Sequence, residues 1–375
     1  MSDFSNNHFV PRLVLRRFAD KITTFDIDTG EFIENRKCEK VFAAENIYPT
    51  DIEQLFNKNI EGRFADILNN KILKAVGQCE LSREENLIIK KFLLIAQMRT
   101  LETIEFTNVE RHFSKMLNLG KAPFEEKHVD SETTRDRWLR NLRVILECKD
   151  IGEIEKHEQV THEVYRWAMI YYSGYLSIWT NEENEEDFII TDVGMTSERD
   201  LGLFLNGISD KQLYLYDKLS KRSNNIYRNI LATQMNFHEN FYMFSISKNR
   251  MITIINPFYR LFDKKDTPLL STPKIWPSKI KDRTLVGKNK YRYVNIKKNK
   301  MGITNPKDIF IYKINQMNLD DTVYVNKLML DRINKVVGFA DLAKVKNSIV
   351  EYNSTLGKRI NYDSLVKTMK KKKII

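Results

Sequence analysis

Apolar residues recur along this chain with a helical period in one part and as short strand-like runs in another. Ile52, Leu55, Phe56, Ile60, Phe64, Ile67, Leu68 and Leu73 step by threes and fours, the spacing of a single buried helix face. Ser82, just ahead of Glu84 and Glu85, has the character of an N-cap and opens a second periodic run to about Leu119. Further helix is predicted across residues 135–147 and 163–179. Before these helices, residues 24–33 alternate apolar and polar positions around Asp28, Thr29 and Gly30, which predicts a β-hairpin. After them come short β-branched and aromatic runs at 188–190, 241–246, 251–255 and 309–312, read as strands. Asp320, Asp321 and Thr322 then begin an acidic-capped helix to about Phe339.

The pattern therefore predicts an α+β fold. A helix-rich N-terminal half carries a β-hairpin, and the C-terminal half holds a mixed antiparallel sheet with helices. The division falls at 1–180 and 181–375, or the two form one continuous domain. Four of the eight prolines, Pro257, Pro268, Pro273 and Pro277, crowd together, so residues 257–288 read as a long surface loop. No internal repeat is visible, and the one low-complexity segment, Lys370 to Lys373, reads as a solvated tail.

Composition narrows the class. With 375 residues, 42 % of them hydrophobic, the chain can bury a large core, which excludes disorder and a mini-scaffold. The longest uncharged stretch, residues 168–180, is shorter than the roughly 20 residues of a spanning helix and is read as a buried helix, so no membrane partner is expected. Cys38, Cys79 and Cys148 are far apart with no CxxC, which signals neither zinc nor a disulfide framework. With no secretory pattern at Met1, the expected location is cytoplasmic.

The net charge of +11 is unevenly placed. From Leu261 onward there are 26 Lys+Arg and 10 Asp+Glu, a balance of +16, which leaves −5 for residues 1–260. Within the basic loop 257–300, Lys279, Lys281, Arg283, Lys288, Lys290, Arg292, Lys297 and Lys298 are interleaved with Trp276, Tyr291 and Tyr293. Cations mixed with stacking surfaces suit a nucleic-acid backbone and unstacked bases, so RNA or DNA is the expected partner; the bland alternative is a lysine-rich solubilising loop.

Candidate chemistry is sparse, because no Gly-rich phosphate loop, GxSxG elbow, HExxH or Rossmann fingerprint occurs. Arg99 is the most informative residue. It shares a helical stripe with Ile88, Phe92, Ile95 and Phe106, so a permanent charge faces an apolar surface. Something negative should be near, either an acid pairing two helices or a bound anion such as phosphate, unless the helix face is placed otherwise. Gln97 can add an amide nearby or be solvated. His8, in Asn6-Asn7-His8-Phe9-Val10-Pro11, is either an acid–base group or a satisfied turn histidine. Asp192 ends an apolar run, where a carboxylate can serve a site or simply begin a turn.

Taken together, these landmarks resemble the bacterial Domain of Unknown Function family 4238. The resemblance rests on His8-Phe9-Val10-Pro11 with Leu15 and Phe18, on Gln97-Met98-Arg99-Thr100, on Phe188 to Asp192, on Phe244 to Ser247, and on Asn326 with the small residues to Ala340. The chain departs from the family where Thr191-Asp192-Val193-Gly194 replaces Ser-Asp-Asn-Pro. The resemblance singles out His8, Gln97, Arg99, Asp192 and Asn326, with Pro11 and Asn326 as structural motif positions. Brought together, Asp192 and Glu61 would hold Mg²⁺, His8 would be general acid or base, and Arg99 would bind phosphate. That set implies a nucleic-acid-processing effector, a metal-dependent nuclease of a toxin or phage-defence system. The alternative is a non-catalytic module that binds nucleic acid or a protein partner.

Overall fold

The structure, a computed structural model, describes residues 6–45, 47–100, 132–199, 239–255, 309–356 and 358–375. β1 (Asn6–His8) runs antiparallel to β4 (Ala43–Glu45), with His8 opposite Ala43. Pro11, extended as its ring and position favour, caps the short α1 (Arg12–Leu15). The hairpin forms between β2 (Lys21–Asp26) and β3 (Phe32–Lys37). Its turn is fixed by Asp26 Oδ1, which accepts from the N–H of Asp28 and of Thr29 at 3.0 Å each, and by Gly30 at φ +70°, a left-handed conformation glycine takes without steric cost.

The first helical run is α2 (Thr50–Phe56) and α3 (Gly62–Ile67), each continued by a π turn, Asn57–Glu61 and Leu68–Ile72. Ser82 starts α4 (Arg83–Met98) through a capping box: its Oγ accepts from Glu85 N–H at 3.2 Å, and Glu85 Oε2 accepts from Ser82 N–H at 2.7 Å. α5 (Thr134–Glu147), α6 (Ile151–Lys156) and α7 (His162–Ser173) follow, N-capped by Thr133, Asp150 and Thr161. Phe64 of α3 stacks on Phe92 of α4 at 3.6 Å.

Two sheets carry the rest. One has six strands in the order β5 (Gln78–Ser82), β11 (Ile309–Gln316), β6 (Tyr175–Thr180), β10 (Arg250–Ile255), β9 (Glu239–Ser247), β8 (Thr196–Arg199), antiparallel throughout except where β11 meets β6. The other runs β3, β2, β12 (Val336–Phe339), β7 (Ile190–Thr191). Strands from before and after residue 180 pair in both sheets, β5 with β11 and β2 with β12. Gly338 sits where β12 is squeezed: a Cβ there would lie 3.0 Å from Ile22 Cγ2 and 3.2 Å from Ile190 Cγ2. α8 (Leu319–Asp331), a 3₁₀ turn at Leu342–Val345, α9 (Lys346–Ser354) and α10 (Asp363–Lys371) complete the fold. Among the described residues no helix is long and apolar enough to cross a membrane, and all three cysteines are free and buried.

The α+β reading holds, but two predicted helices were too long. The run at 163–179 stops at Ser173; Gly174 turns the chain extended and Tyr175–Thr180 becomes β6, so residues 168–180 are half helix and half strand. The run at 320–339 likewise stops at Asp331, and Val336–Phe339 is an inner strand. Inner strands are covered on both faces, lose their period-2 alternation and read like buried helix. The small β1–β4 pair, β5, β8 and α6 had no predicted counterpart. The second helix is described to Met98; its predicted extension to Leu119, and the loop 257–288, lie outside the described residues.

Candidate active site

Three chain-distant segments meet at the end of α4. Arg99 follows Met98 as the C-cap, 2 % exposed, and its side chain lies against α2 and the π turn after it. Nη1 is 2.5 Å from Glu61 Oε1. The guanidinium carbon lies 4.1 Å from the Phe56 ring centroid and 5.4 Å from that of Tyr48, so two aromatic faces share its charge. Tyr48 Oη donates to the Arg99 carbonyl at 2.9 Å. Burial opposes the charge, but Glu61, Tyr48 and Glu53 outweigh it and hold the guanidinium pKa above its ordinary range. The acid required by the stripe containing Arg99 is therefore Glu61, the last residue of a π turn that inserts one residue into the helical spacing. Arg99 nonetheless keeps a donor in reserve: its Nε is buried with no hydrogen-bond partner among the described residues.

His8 arrives from β1. Its Nδ1 lies 3.2 Å from the Val41 carbonyl oxygen, which only accepts, so the contact places the proton on Nδ1 and leaves the lone pair on Nε2. Burial drives the imidazole pKa below its ordinary value, and Arg12 and Arg99 push the same way against the Val41 contact and Glu61. His8 is neutral at pH 7. Beside it, Asn7 Oδ1 accepts from the N–H of Ile47 at 2.9 Å and of Tyr48 at 3.1 Å, and its Nδ2 donates to Glu53 Oε2 at 3.3 Å. Burial raises the Glu53 carboxyl, with Glu61 adding to the rise and Arg99 opposing it. The cluster thus holds an imidazole with a lowered pKa, a carboxyl whose pKa burial raises and a cation with an unpartnered donor, groups whose chemistry allows proton exchange and charge pairing with an anion. Sequence reasoning missed Asn7, Tyr48 and Glu53; the available signal was that Asn7 adjoins His8.

The remaining candidates are occupied elsewhere. Gln97 Oε1 accepts from Tyr171 Oη of α7, which fixes α4 to that helix. Asp192 clamps the turn into β12: its Oδ1 accepts from Asn334 N–H at 3.0 Å, and its Oδ2 from Lys335 at 2.7 Å and Val336 at 3.1 Å. Burial raises its pKa while these three donors pull it down. No hydrogen bond or ion pair among the described residues joins Asp192 to His8, Glu61 or Arg99. Asn326 is a bridge, accepting from Ile189 N–H at 3.1 Å and donating to the Asp187 carbonyl at 2.8 Å and to Ser348 Oγ at 2.9 Å. Pro11 begins α1, its carbonyl accepting from Val14 N–H at 2.9 Å. Lys279, Lys281, Arg283, Lys288, Lys290, Arg292, Lys297 and Lys298 lie outside the described residues.

As a Mg²⁺ pair, Asp192 and Glu61 do not fit. Both oxygens of Asp192 already accept backbone donors, Glu61 Oε1 pairs with Arg99, and among the described residues no group of three or more His, Cys, Asp or Glu gathers to hold a metal. Neither a curated protein nor a solved structure matches this chain. A family model does, across residues 6–341, and the chain belongs to the family described as Protein of unknown function (DUF4238).

Proposed function

We propose that this chain processes RNA by acid–base chemistry at the cluster of His8, Glu53, Glu61 and Arg99, with the lysine-rich segment after residue 256 drawing in the strand. The observation that supports the reading most is a His8 with its lone pair on Nε2 within the electrostatic reach of a buried Arg99 whose Nε has no partner among the described residues. In this account His8 Nε2 takes the proton of a ribose 2′-hydroxyl and the freed oxygen attacks the adjacent phosphorus. The 5′-oxygen leaves with the proton of the Glu53 carboxyl, and Arg99 balances the charge on a non-bridging oxygen. The products are a 2′,3′-cyclic phosphate and a 5′-hydroxyl; His8 and Glu53 then return to their starting states by exchanging protons with water. No step passes through Mg²⁺.

A second reading has its own support. His8 is 7 % and Arg99 2 % exposed, while the Glu61 side chain reaches 18 %. A closed ion pair of this kind also suits a lock between helices in a protein that binds nucleic acid without cutting it. Labelled RNA and DNA, each incubated with Mg²⁺ or with EDTA, separate the readings. The acid–base account expects RNA cut to cyclic-phosphate ends in EDTA, DNA left whole, and cutting lost in His8→Ala. RNA retarded on a gel and uncut in every condition moves the conclusion to the binder. Cutting that needs Mg²⁺ and disappears in Asp192→Asn overturns both.

A further inference from the structure

The last 34 residues, 342–375, lie beyond the family match, yet they are docked on the body. Tyr362, just before α10, is fully buried, 6.0 Å from the Phe25 ring of the hairpin and 5.5 Å from that of Tyr352, and its Oη donates to the Leu330 carbonyl at 3.0 Å. Leu365 and Met369 of α10 are buried in the core. After the helix, Lys372 Nζ pairs with Glu34 Oε1 of β3 at 2.9 Å and lies over the Phe32 ring. The lysine run read from the sequence as a solvated tail is therefore the end of an ordered, seated helix.

Its outer face is strongly basic after Asp363 at its start. Lys367, Lys370 and Lys371 are exposed at i, i+3 and i+4, one stripe opposite Leu365 and Met369, and Lys373 is exposed beyond them. Residues 358–373 hold seven Lys or Arg against Asp363 alone. Asp363 is already held by Asn353 and Asn361. Among the described residues Lys370, Lys371 and Lys373 make no ion pair. Favourable interaction with the helix dipole accounts for lysines in the last turn, and Asp363, one turn before Lys367, offsets that lysine; neither accounts for the stripe as a whole, since like charges at these spacings oppose one another by a few tenths of a kcal/mol.

We propose that the outer face of α10 grips the phosphate backbone of a nucleic acid, an inference that rests on the reading of this chain as a nucleic-acid-processing protein. Nucleic acid is favoured over an anionic membrane because a surface-bound amphipathic helix must offer its apolar side to lipid. Here that side, Leu365 and Met369, is already buried in the protein, so the helix itself presents a row of charges, with half-exposed Ile375 as the apolar surface that follows it. Such a row suits a polyanion held by counterion release.

The test uses the full chain and a fluorescent 2′-O-methyl RNA strand, which has no 2′-hydroxyl to be cut, with anisotropy titrations at several salt concentrations. Lys367→Gln, Lys370→Gln and Lys371→Gln together should weaken binding at low salt about tenfold or more and flatten the log K against log salt slope by about 2, at roughly 0.7 per lost phosphate contact on a single strand. Arginine at the same three positions should restore both. A control with Lys58, Lys149 and Lys156 changed to Gln, all exposed elsewhere, should bind as the parent does. A parent that binds while the triple Gln variant keeps its affinity and slope overturns the role of α10 and leaves the nucleic-acid reading standing. A parent that binds no strand at any salt overturns that reading first. Sedimentation with phosphatidylserine vesicles but not neutral ones, lost in the triple Gln variant, assigns the face to a membrane and likewise overturns the proposal.

Discussion

The Arg99–Glu61 pair can be weighed by a double-mutant cycle. At an effective dielectric near 20, unit charges about 4 Å apart attract by about 4 kcal/mol, and the desolvation of a buried guanidinium opposes this by several kcal/mol. The intact pair is thus close to balance, whereas half of it is not. Glu61→Gln keeps the shape but leaves Arg99, 2 % exposed, without its nearest anion. Breaking fully buried pairs costs about 3–5 kcal/mol, and because the Glu61 side chain sits at the margin, about 2–3 kcal/mol is expected. Arg99→Met leaves Glu61 free to hydrate but forfeits the contact with Phe56 and Tyr48, again about 2–3 kcal/mol. With both changed no charge is stranded, so the double variant should lose about 3 kcal/mol rather than about 5, a coupling near 2 kcal/mol. Urea unfolding followed by Trp fluorescence reads this locally, since Trp138 Nε1 donates to the Met98 carbonyl at 2.5 Å, next to Arg99. Additive single and double variants, with coupling below about 0.5 kcal/mol, would refute the assignment of Glu61 as the acid that meets Arg99.

Three further outcomes follow from the same geometry. His8 is buried in its neutral form with a lowered pKa, so below about pH 6.5 the unfolded chain takes up a proton that the folded chain refuses, and stability should fall as pH drops toward the folded pKa; His8→Gln should remove that part of the slope, and an unchanged profile in thermal melts from pH 7.5 to 5 would count against it. Asp192→Ala strands three backbone donors ahead of β12 and should cost about 2–4 kcal/mol, with Asp192→Asn losing less because one oxygen remains; urea midpoints equal to the parent would exclude the clamp. Asn326→Ala removes three hydrogen bonds that tie α8 to the 187–189 segment and to α9, so a loss of about 2–4 kcal/mol is expected, and hydrogen exchange should rise at Ile189; protection as in the parent would sink the bridge.

What the sequence made legible was local. The hairpin announced itself because alternation and turn chemistry both lie within residues 24–33, and Ser82 because a capping box is complete within four residues. The runs at 168–180 and 320–339 misled because their break depends on partners far away. Tyr175–Thr180 lies between β10 and β11, and Val336–Phe339 between β2 and β7, so each segment is covered by chain that periodicity does not see. Asp192 illustrates the same limit for a site residue: an aspartate after an apolar run reads equally as ligand or turn clamp, and the deciding atoms are backbone N–H groups more than 140 positions away.

Helix α4 shows why Arg99 was legible as a buried charge and two of its neighbours were not. Lys90 and Lys91 are also buried, but they break the apolar pattern no more than any pair of lysines does. Lys90 Nζ donates to the carbonyls of Tyr172 and Gly174 at the end of α7, and Lys91 Nζ to those of Leu146 and Cys148 at the end of α5. A helix C-terminus presents carbonyls with no partner and the negative end of a dipole, so a cation pressed against it meets both needs at once. Burial still drives Lys91 down to about 8, which says that two carbonyls compensate the lost water only in part. Arg99 stood out because one helical face suffices to reveal a charge among apolar residues. Lys90 and Lys91 needed the ends of two other helices, each fixed by its own stop signal, before their burial had a reason.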